Sequence, residues 1–308
     1  MPQPDDRKVV ETSKAILETM HEIFGPQPSF RPAHAKGVLL NGTFTPTEAA
    51  KLLSKAPHFN NPSTAILARF SNSTGLPQLP DTDPNANPRG FAIRFKLAET
   101  PRRVHTDIIT HSVDGFPGAD GQEALEFFSA IKENKVPEHL ASHPNALAFV
   151  TLPKPTPTSF GKEKYFGVNA FKFVSSEGKE TFVRYRFLPL AGEEYLGDAA
   201  LKDKTPNFLF DEVPEVLKKG PIEFTLAAQI AEEGDITEDN TAKWPAERAV
   251  VELGNIKLNS IAEGQVAQQK QIIFDPIPRV EGIEASDDPL LQVRASVYLL
   301  SGKERRAA

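Results

Sequence analysis

The sequence predicts an α+β protein with an antiparallel β-barrel core and flanking helices. Nine short runs are strand-like, and many of them alternate apolar and polar side chains, as half-buried antiparallel strands do. Few helices separate these runs, and the regular strand–helix alternation of a doubly wound parallel sheet is missing. An antiparallel sheet with this many strands is expected to close into a barrel.

The helices are predicted from periodicity and capping signals. Apolar residues recur at helical spacing through residues 6–24, and Gly25 ends this N-terminal helix. The segment Thr45–Glu48 matches a capping box with Pro46 in the first turn, which predicts a second helix over residues 46–55. Further helices are predicted at Gln122–Glu133, at about 196–219 and at about 287–300.

The strands and one turn complete the predicted barrel. Ser175–Gly178 is typical of a hairpin turn. One domain is expected over residues 1–308, with the barrel at about 37–275, because no repeat or low-complexity linker divides the chain. The predicted strands are Gly37–Phe44, Ala65–Ser71, Gly90–Phe95, Thr106–Ile109, Val168–Val174, Thr181–Phe187, Ile222–Ile230, Ala249–Leu253 and Gln271–Phe274.

Charge and composition exclude several classes of protein. The net charge is -6 and the basic residues are dispersed, which argues against a nucleic-acid or anionic-membrane surface. The chain has no cysteine, so disulfides, thiolate catalysis and cysteine-based metal sites are excluded. No apolar run at the start has the length of a signal peptide, and none later approaches the roughly 18 residues of a membrane span. A cytoplasmic location is expected, or a periplasmic or secreted one if a signal peptide was removed.

Several common catalytic motifs are missing from the sequence. It contains no P-loop, no G-x-G-x-x-G, no H-E-x-x-H and no G-x-S-x-G. Among the histidines, only His139 and His143 have the i,i+4 spacing of a helical metal-binding pair, and Pro144 follows them directly. Because no third ligand accompanies them, a surface coincidence is favoured over a zinc site.

The last predicted helix carries Arg294 and Tyr298, which are i,i+4 neighbours on one face. Spacing alone favours a surface arginine packed on a tyrosine ring. The alternative is a tyrosinate whose charge the arginine stabilises. Ionising a free tyrosine at pH 7 costs roughly 4 kcal/mol, which an adjacent guanidinium and a ferric ion can offset. Tyrosine is a known axial ligand of haem iron.

Two earlier segments contain the groups that the opposite side of a haem would need. His34 is able to accept and return a peroxide proton. Ser71 is able to hold the far imidazole nitrogen and fix its tautomer. Taken singly, His34 is better explained as a buried structural histidine. Its occurrence together with Ser71, the arginines and the Arg294–Tyr298 pair favours the functional interpretation. Guanidinium groups suited to pairing with the two haem propionates are Arg31, Arg69 and Arg305.

Together these segments resemble the haem catalase superfamily. The motifs R-x-x-H-A-K-G from Arg31, R-F-S from Arg69, P-R-G-F-A from Pro88 and R-x-x-x-Y from Arg294 are each similar to catalase signatures and occur in the catalase order. The resemblance covers roughly residues 20–306. The chain is well short of a full catalase and resembles the small catalase-related peroxidases, which keep the barrel and the haem site and lack the C-terminal flavodoxin-like domain.

The resemblance implies a role for each of the residues named above. His34 matches the essential distal histidine, and Ser71 matches the serine that hydrogen-bonds it. Tyr298 matches the iron ligand of haem b, and Arg294 the arginine that keeps this ligand ionised. The remaining matches are the propionate-binding arginines Arg31, Arg69 and Arg305, and Phe116 as an aromatic that lines the distal channel.

One position departs from the catalase pattern. After the strand that ends at Ile109, catalases place a distal asparagine that helps to orient a second peroxide molecule. This chain has Thr110-His111-Ser112 there, so His111 or Ser112 replaces the asparagine. Efficient dismutation of hydrogen peroxide is therefore not expected. His111 is a candidate catalytic residue, and the alternative is that its side chain points out of the pocket.

The resemblance implies a haem-dependent peroxidase that reduces hydrogen peroxide or organic hydroperoxides through an oxyferryl intermediate. An unknown organic donor is expected to supply the electrons, and weak catalase activity is left open. The alternatives are a hydroperoxide-rearranging enzyme similar to allene oxide synthases, and a haem carrier or sensor without turnover. No NADPH, nucleic acid or membrane is expected to bind, and the chain is expected to be a monomer or a homodimer.

Overall fold

A computed structural model describes residues 2–308, in which one antiparallel sheet is flanked by helices. Eight strands close into a barrel in the order β1-β2-β3-β4-β5-β7-β8-β9, and β6 and β10 extend the sheet beyond β7. This confirms the predicted barrel. The strands are β1 (Gly37–Pro46), β2 (Thr64–Ser71), β3 (Gly90–Ala98), β4 (Val104–His111), β5 (Tyr165–Phe166), β6 (Phe171–Val174), β7 (Glu180–Pro189), β8 (Ile222–Ile230), β9 (Val250–Ile261) and β10 (Ile283–Ala285).

Aromatic side chains fill the interior of the barrel. Successive residues of a strand point to opposite faces, so Phe70 of β2 points inward while Arg69 and Ser71 point outward. The ring of Phe70 stacks on Phe91 with centroids 4.6 Å apart and on Phe160 with centroids 5.1 Å apart. Because these fully buried rings occupy the interior, the polar residues of β2–β4 lie on the outer face of the barrel.

Three of the helices pack together on one side of the barrel. The first begins at the N-cap Asp6, whose carboxylate accepts a hydrogen bond from Lys8 N at 2.8 Å, and ends before Gly25, which has a φ of 72°. Ile16, Leu290 and Val293 belong to the apolar cluster that joins α1, α4 and α10. The helices are α1 (Arg7–Phe24), α2 (Glu48–Leu53), α3 (Pro57–Asn60), α4 (Gly121–Lys132), α5 (Val136–Ser142), α6 (Pro144–Thr151), α7 (Asp198–Lys202), α8 (Phe208–Lys219), α9 (Gln265–Gln271) and α10 (Pro289–Ala307).

The predicted strand Gln271–Phe274 is wrong. Gln271 ends α9, and the next residues cross the outer face of the barrel without pairing to a strand. Ile272 and Phe274 are buried there against Leu39 and Leu67 of the barrel wall. The alternation of apolar residues in this segment therefore reflects burial on one side, which local sequence does not distinguish from a strand.

Other boundaries also differ from the prediction. Thr47, rather than Thr45, caps α2 by accepting a hydrogen bond from Ala50 N at 3.2 Å, and Thr45 and Pro46 still pair with β9. The last helix continues to Ala307 instead of ending at about 300, and the region 196–219 contains two helices. The prediction missed α3, α5, α6 and α9. Within residues 2–308, no helix combines the length and the apolar character needed to cross a membrane.

Candidate active site

Three neighbouring strands bring Ser71, Gly90 and His111 into one row on the outer face of the barrel. Ser71 of β2 pairs with Gly90 of β3, and Gly90 pairs with His111 of β4. Directly paired residues present their side chains on the same face of a sheet. These three positions are called the distal row below.

His34 lies on the distal row, although it comes from the loop before β1. Its φ of 55° is in the left-handed region, which non-glycine residues seldom adopt. Its Nδ1 is 3.1 Å from Ser71 Oγ. A Cβ on Gly90 would lie 2.8 Å from the same Nδ1, so only glycine leaves room for this imidazole. One ring nitrogen of His34 is therefore held by Ser71, and Nε2 is left for a ligand.

The surroundings of His34 keep its imidazole neutral. Burial lowers the pKa of His34 to about 4, and the positive charge of Arg69 acts in the same direction. Arg294 of α10 also contributes to this shift, so the last helix lies within electrostatic reach of the distal row. A neutral imidazole at pH 7 is able to accept a proton.

The structure distinguishes between His111 and Ser112, the two candidates to replace the asparagine that catalases have after β4. The hydroxyl of Ser112 already has a backbone partner, because its Oγ accepts a hydrogen bond from Arg89 N at 2.9 Å. His111 belongs to the distal row instead, and burial lowers its pKa to about 3, with His34 as the next cause. His111, not Ser112, therefore shares the face on which His34 lies.

Arg294 and Tyr298 form the other side of the candidate site. Both are half-buried, whereas their neighbours Val293, Val297 and Leu299 are buried. Arg294 donates to the phenol oxygen from Nη2 at 3.1 Å and from Nε at 3.3 Å. These hydrogen bonds go to the oxygen atom, as stabilisation of a phenolate requires.

Two residues that the sequence analysis missed hold Arg294 in place. Asn169 accepts a hydrogen bond from Arg294 Nη1 through its Oδ1 and donates from Nδ2 to Asp288 Oδ2 at 2.6 Å. Asp288 also caps α10 by accepting from Leu290 N at 2.9 Å, and burial raises the pKa of its carboxyl. Asp288 before Pro289 is a recognisable start of a helix. Nothing in the local sequence points to Asn169, which comes from the link between β5 and β6.

The three predicted propionate ligands lie near one another. Arg31 Nη2 and Arg305 Nη2 both donate to the carbonyl of Ile272, at 3.1 and 2.8 Å. Burial lowers the pKa of Arg69 to about 9, and the charge of Arg305 is the next cause. Within residues 2–308, no carboxylate forms a salt bridge with any of the three arginines, whereas Arg94 and Arg186 are paired with Asp107 and Asp114.

The cluster of Arg31, Arg69 and Arg305 indicates whether the residues present would fit a haem. Buried cations are costly unless anions accompany them. A haem carries two carboxylates, and guanidinium groups bind carboxylates with good geometry. Arg305 Nε is buried without a hydrogen-bond partner among the described residues, so the cluster has donor capacity left for an anion. The residues present fit the group.

The remaining candidates are placed as follows. Phe116, in the loop after β4, packs against the same apolar cluster as Tyr298, and its ring centroid is 6.4 Å from that of Phe149. The rings of His139 and His143 stack with centroids 3.7 Å apart on the α5–α6 hairpin. No group of three metal-ligating side chains occurs within residues 2–308, so this pair has no third ligand there.

The sequence is similar to known proteins over nearly its whole length. The family model described as Catalase matches residues 17–307. A catalase-related peroxidase of Mycolicibacterium paratuberculosis is 34% identical over 302 residues, covering 96% of this chain and 95% of that protein. A catalase-related peroxidase of Synechococcus elongatus is 31% identical, covering 96% of this chain and 88% of that protein.

A solved structure shows the same fold. The chain superposes on a fungal catalase with a TM-score of 0.80 at 24% identity, over 91% of this chain. It spans only 59% of that catalase. At this identity the likeness concerns the fold alone.

Proposed function

Because the chain belongs to the catalase family, we propose that it is a haem-dependent peroxidase that reduces hydrogen peroxide or organic hydroperoxides with electrons from an organic donor. One observation carries the proposal: a neutral, partly accessible His34 lies near a phenol–guanidinium pair and a cluster of arginines that lack carboxylate partners. Relatives that cover nearly the whole chain bear the name catalase-related peroxidase.

The residues divide the binding of haem between them. Tyr298 would hold the iron through its phenol oxygen, and Arg31, Arg69 and Arg305 would bind the propionates. Bound haem supplies the redox chemistry, since its iron can take two oxidising equivalents from a peroxide and pass them to a donor. Arg294 donates two hydrogen bonds to this phenol oxygen and would hold it in position toward the iron.

His34 moves the proton. Its neutral imidazole takes the proton from one oxygen of the hydroperoxide and returns it to the other, which leaves as an alcohol or as water. The contact with Ser71 keeps the ring in the orientation that this transfer needs. Overall, ROOH and a two-electron donor AH2 give ROH, H2O and A, so the atoms and electrons balance.

The proposal is tested by adding haemin to the purified protein and following its absorption spectrum and its peroxide-driven oxidation of a chromogenic donor. His34→Ala is expected to keep the haem spectrum and to lose donor oxidation by roughly 100-fold or more, the usual contribution of a positioned acid–base group. His143→Ala, on the α5–α6 hairpin, is the matched control and should leave the rate unchanged.

Equal rates in His34→Ala and the wild type would refute this assignment. Failure of the wild type to take up haem would overturn the proposed function as a whole. Product analysis with a lipid hydroperoxide in the absence of donor separates a peroxidase from a rearranging enzyme, because only the latter forms an epoxide or ketol without consuming a donor.

A further inference from the structure

The short helix α9 and the residue that follows it contact all three arginines of the cluster. Gln269 Oε1 accepts a hydrogen bond from Arg69 Nε at 2.8 Å. The carbonyl of Ile272, directly after α9, accepts hydrogen bonds from Arg31 and Arg305. These acceptors are all neutral, so this segment fixes the guanidinium groups and leaves their positive charge uncompensated.

Arg69 connects α9 with the loop that carries His34. Its Nη2 donates to the carbonyl of His34 at 2.8 Å and to that of Ala35 at 3.2 Å. A Cβ on Gly37 would overlap the same nitrogen, so the backbone of the loop packs directly on the guanidinium. The φ of 55° at His34 is unfavourable for a residue with a side chain. The hydrogen bonds from Arg69 help to hold the backbone in this conformation.

The amide of Gln269 is itself held in one orientation. Its Nε2 donates to the carbonyl of Gly37 at 3.1 Å and to Gln265 Oε1 at 3.1 Å. Gln265 Oε1 also accepts a hydrogen bond from Leu39 N at 2.9 Å, which ties α9 to β1. Because the nitrogen of the amide faces these acceptors, its oxygen is directed at Arg69.

A glutamine at this position keeps the charge of Arg69 available. A carboxylate would pair with the guanidinium, as Asp107 pairs with Arg94 at 2.6 Å. The amide of Gln269 supplies a hydrogen bond without an opposing charge. The contacts to protein use Nε and Nη2 of Arg69, which leaves Nη1 for an anion.

We propose that Gln269 is a positioning residue, whose neutral amide fixes Arg69 between an anion-binding cluster and the backbone of His34. Haem binding and the placement of the proton-transferring imidazole then depend on the same guanidinium. This inference rests on the proposed function, because the anions in question are the haem propionates.

The first test compares ferric haem with its dimethyl ester, in which both propionates are uncharged. The wild type should bind the free acid more tightly than the ester. Gln269→Glu places a negative charge beside Arg69 and should reduce this preference by roughly tenfold or more, because like charges at a binding site oppose each other. Gln269→Leu loses the same amide contacts without adding a charge and should keep the preference within about threefold.

Gln268→Glu is the matched control for the added charge. Gln268 is the neighbouring residue of α9, is exposed, and donates only to the carbonyl of Glu263. Its preference for the free acid should equal that of the wild type. A changed preference in Gln269→Glu alone is not explained by a merely structural role, since both ligands need the same fold.

The second test measures the placement of His34 without an electron donor. Hydrogen cyanide must lose its proton to a base before it binds ferric haem, so its association rate reports on the distal imidazole. At full haem loading, Gln269→Leu should slow cyanide association by roughly tenfold, less than the roughly 100-fold expected for His34→Ala. Gln268→Leu should leave the rate unchanged.

Two results would overturn the role of Gln269. One is a preference for the free acid in Gln269→Glu equal to that of the wild type, and the other is an unchanged cyanide rate in Gln269→Leu. Either result, obtained in protein that binds haem and oxidises a donor, leaves the proposed function intact. A wild type that does not take up haem would instead contradict the proposed function itself.

Discussion

The guanidinium of Arg294 donates two hydrogen bonds to the phenol oxygen of Tyr298, from Nη2 at 3.1 Å and from Nε at 3.3 Å. A helical i,i+4 spacing allows an arginine merely to cover a tyrosine ring, but here both donors converge on the oxygen. Arg294 therefore orients the oxygen atom that would bind the iron, in addition to packing on the ring.

Replacement of Arg294 by methionine is therefore expected to weaken haem binding. Two hydrogen bonds to the oxygen that would bind the iron would be lost, and the affinity for ferric haem should fall by at least roughly tenfold, as measured by titration with haemin. Arg306→Met is the matched control, because Arg306 is exposed and donates only to the carbonyl of Gln271. Unchanged affinity in Arg294→Met would show that the hydrogen bonds do not support an iron ligand.

Asp288 is expected to have two structural roles, as the N-cap of α10 and as the hydrogen-bond partner that holds Asn169. Asp288→Ala removes the cap of α10 and the partner of Asn169 Nδ2. The free energy of unfolding, measured with urea, should fall by about 2–3 kcal/mol, and the haem spectrum should change because Arg294 is no longer held. Asp6→Ala removes a comparable cap from α1 and should cost about 1 kcal/mol without any spectral change. Identical behaviour of the two variants would argue against the link through Asn169.

Gly90→Ala should impair the site without unfolding the barrel. The added Cβ would lie 2.5 Å from Ser71 Oγ and 2.8 Å from His34 Nδ1, so the imidazole must move away from Ser71. We expect donor oxidation to fall by roughly 100-fold, similar to the loss of a positioned acid–base group, while the circular dichroism spectrum is retained. Gly197→Ala is the control, since a Cβ there meets no atom within 4 Å. A fully active Gly90→Ala protein would contradict the placement of His34.

His58 should make the protein sensitive to acid. Burial lowers the pKa of His58 to about 3, below its ordinary value of 6.5. A histidine whose pKa is lower in the folded state than in the unfolded state contributes stability that is complete above pH 6.5 and is lost as the pH falls toward 3. At pH 5 the loss amounts to about 2 kcal/mol relative to neutral pH.

His58→Leu is expected to abolish the loss of stability at low pH that His58 causes. The difference in the free energy of unfolding between pH 7 and pH 5, from urea titrations, should be about 2 kcal/mol smaller in the variant than in the wild type. His21→Leu is a control, because His21 is half-buried at the surface beside Glu304. An equal pH dependence in His58→Leu and the wild type would mean that His58 is not the buried neutral group described above.

Local signals in the sequence determined much of this fold. The helical periodicity of residues 6–24 and the Ser175–Gly178 turn both depend on neighbouring residues only, and both are present as predicted. The pairing of Arg294 with Tyr298 is likewise a property of four-residue spacing on one helix. The prediction of a strand at Gln271–Phe274 was wrong, because burial on one side gives the same apolar pattern in a strand and in a segment that pairs with no strand.

Tertiary structure alone decided how the candidate site is assembled. Whether His111 faces His34 depends on the register of β2, β3 and β4, which a one-residue slip would reverse. Asn169 and Arg294 are more than a hundred residues apart in the sequence, so no local pattern predicts their hydrogen bond. The sequence by itself determined which chemical groups are available and the elements that carry them. Only the closed barrel determined which of those groups meet, because contacts between distant strands depend on register and packing rather than on neighbouring residues.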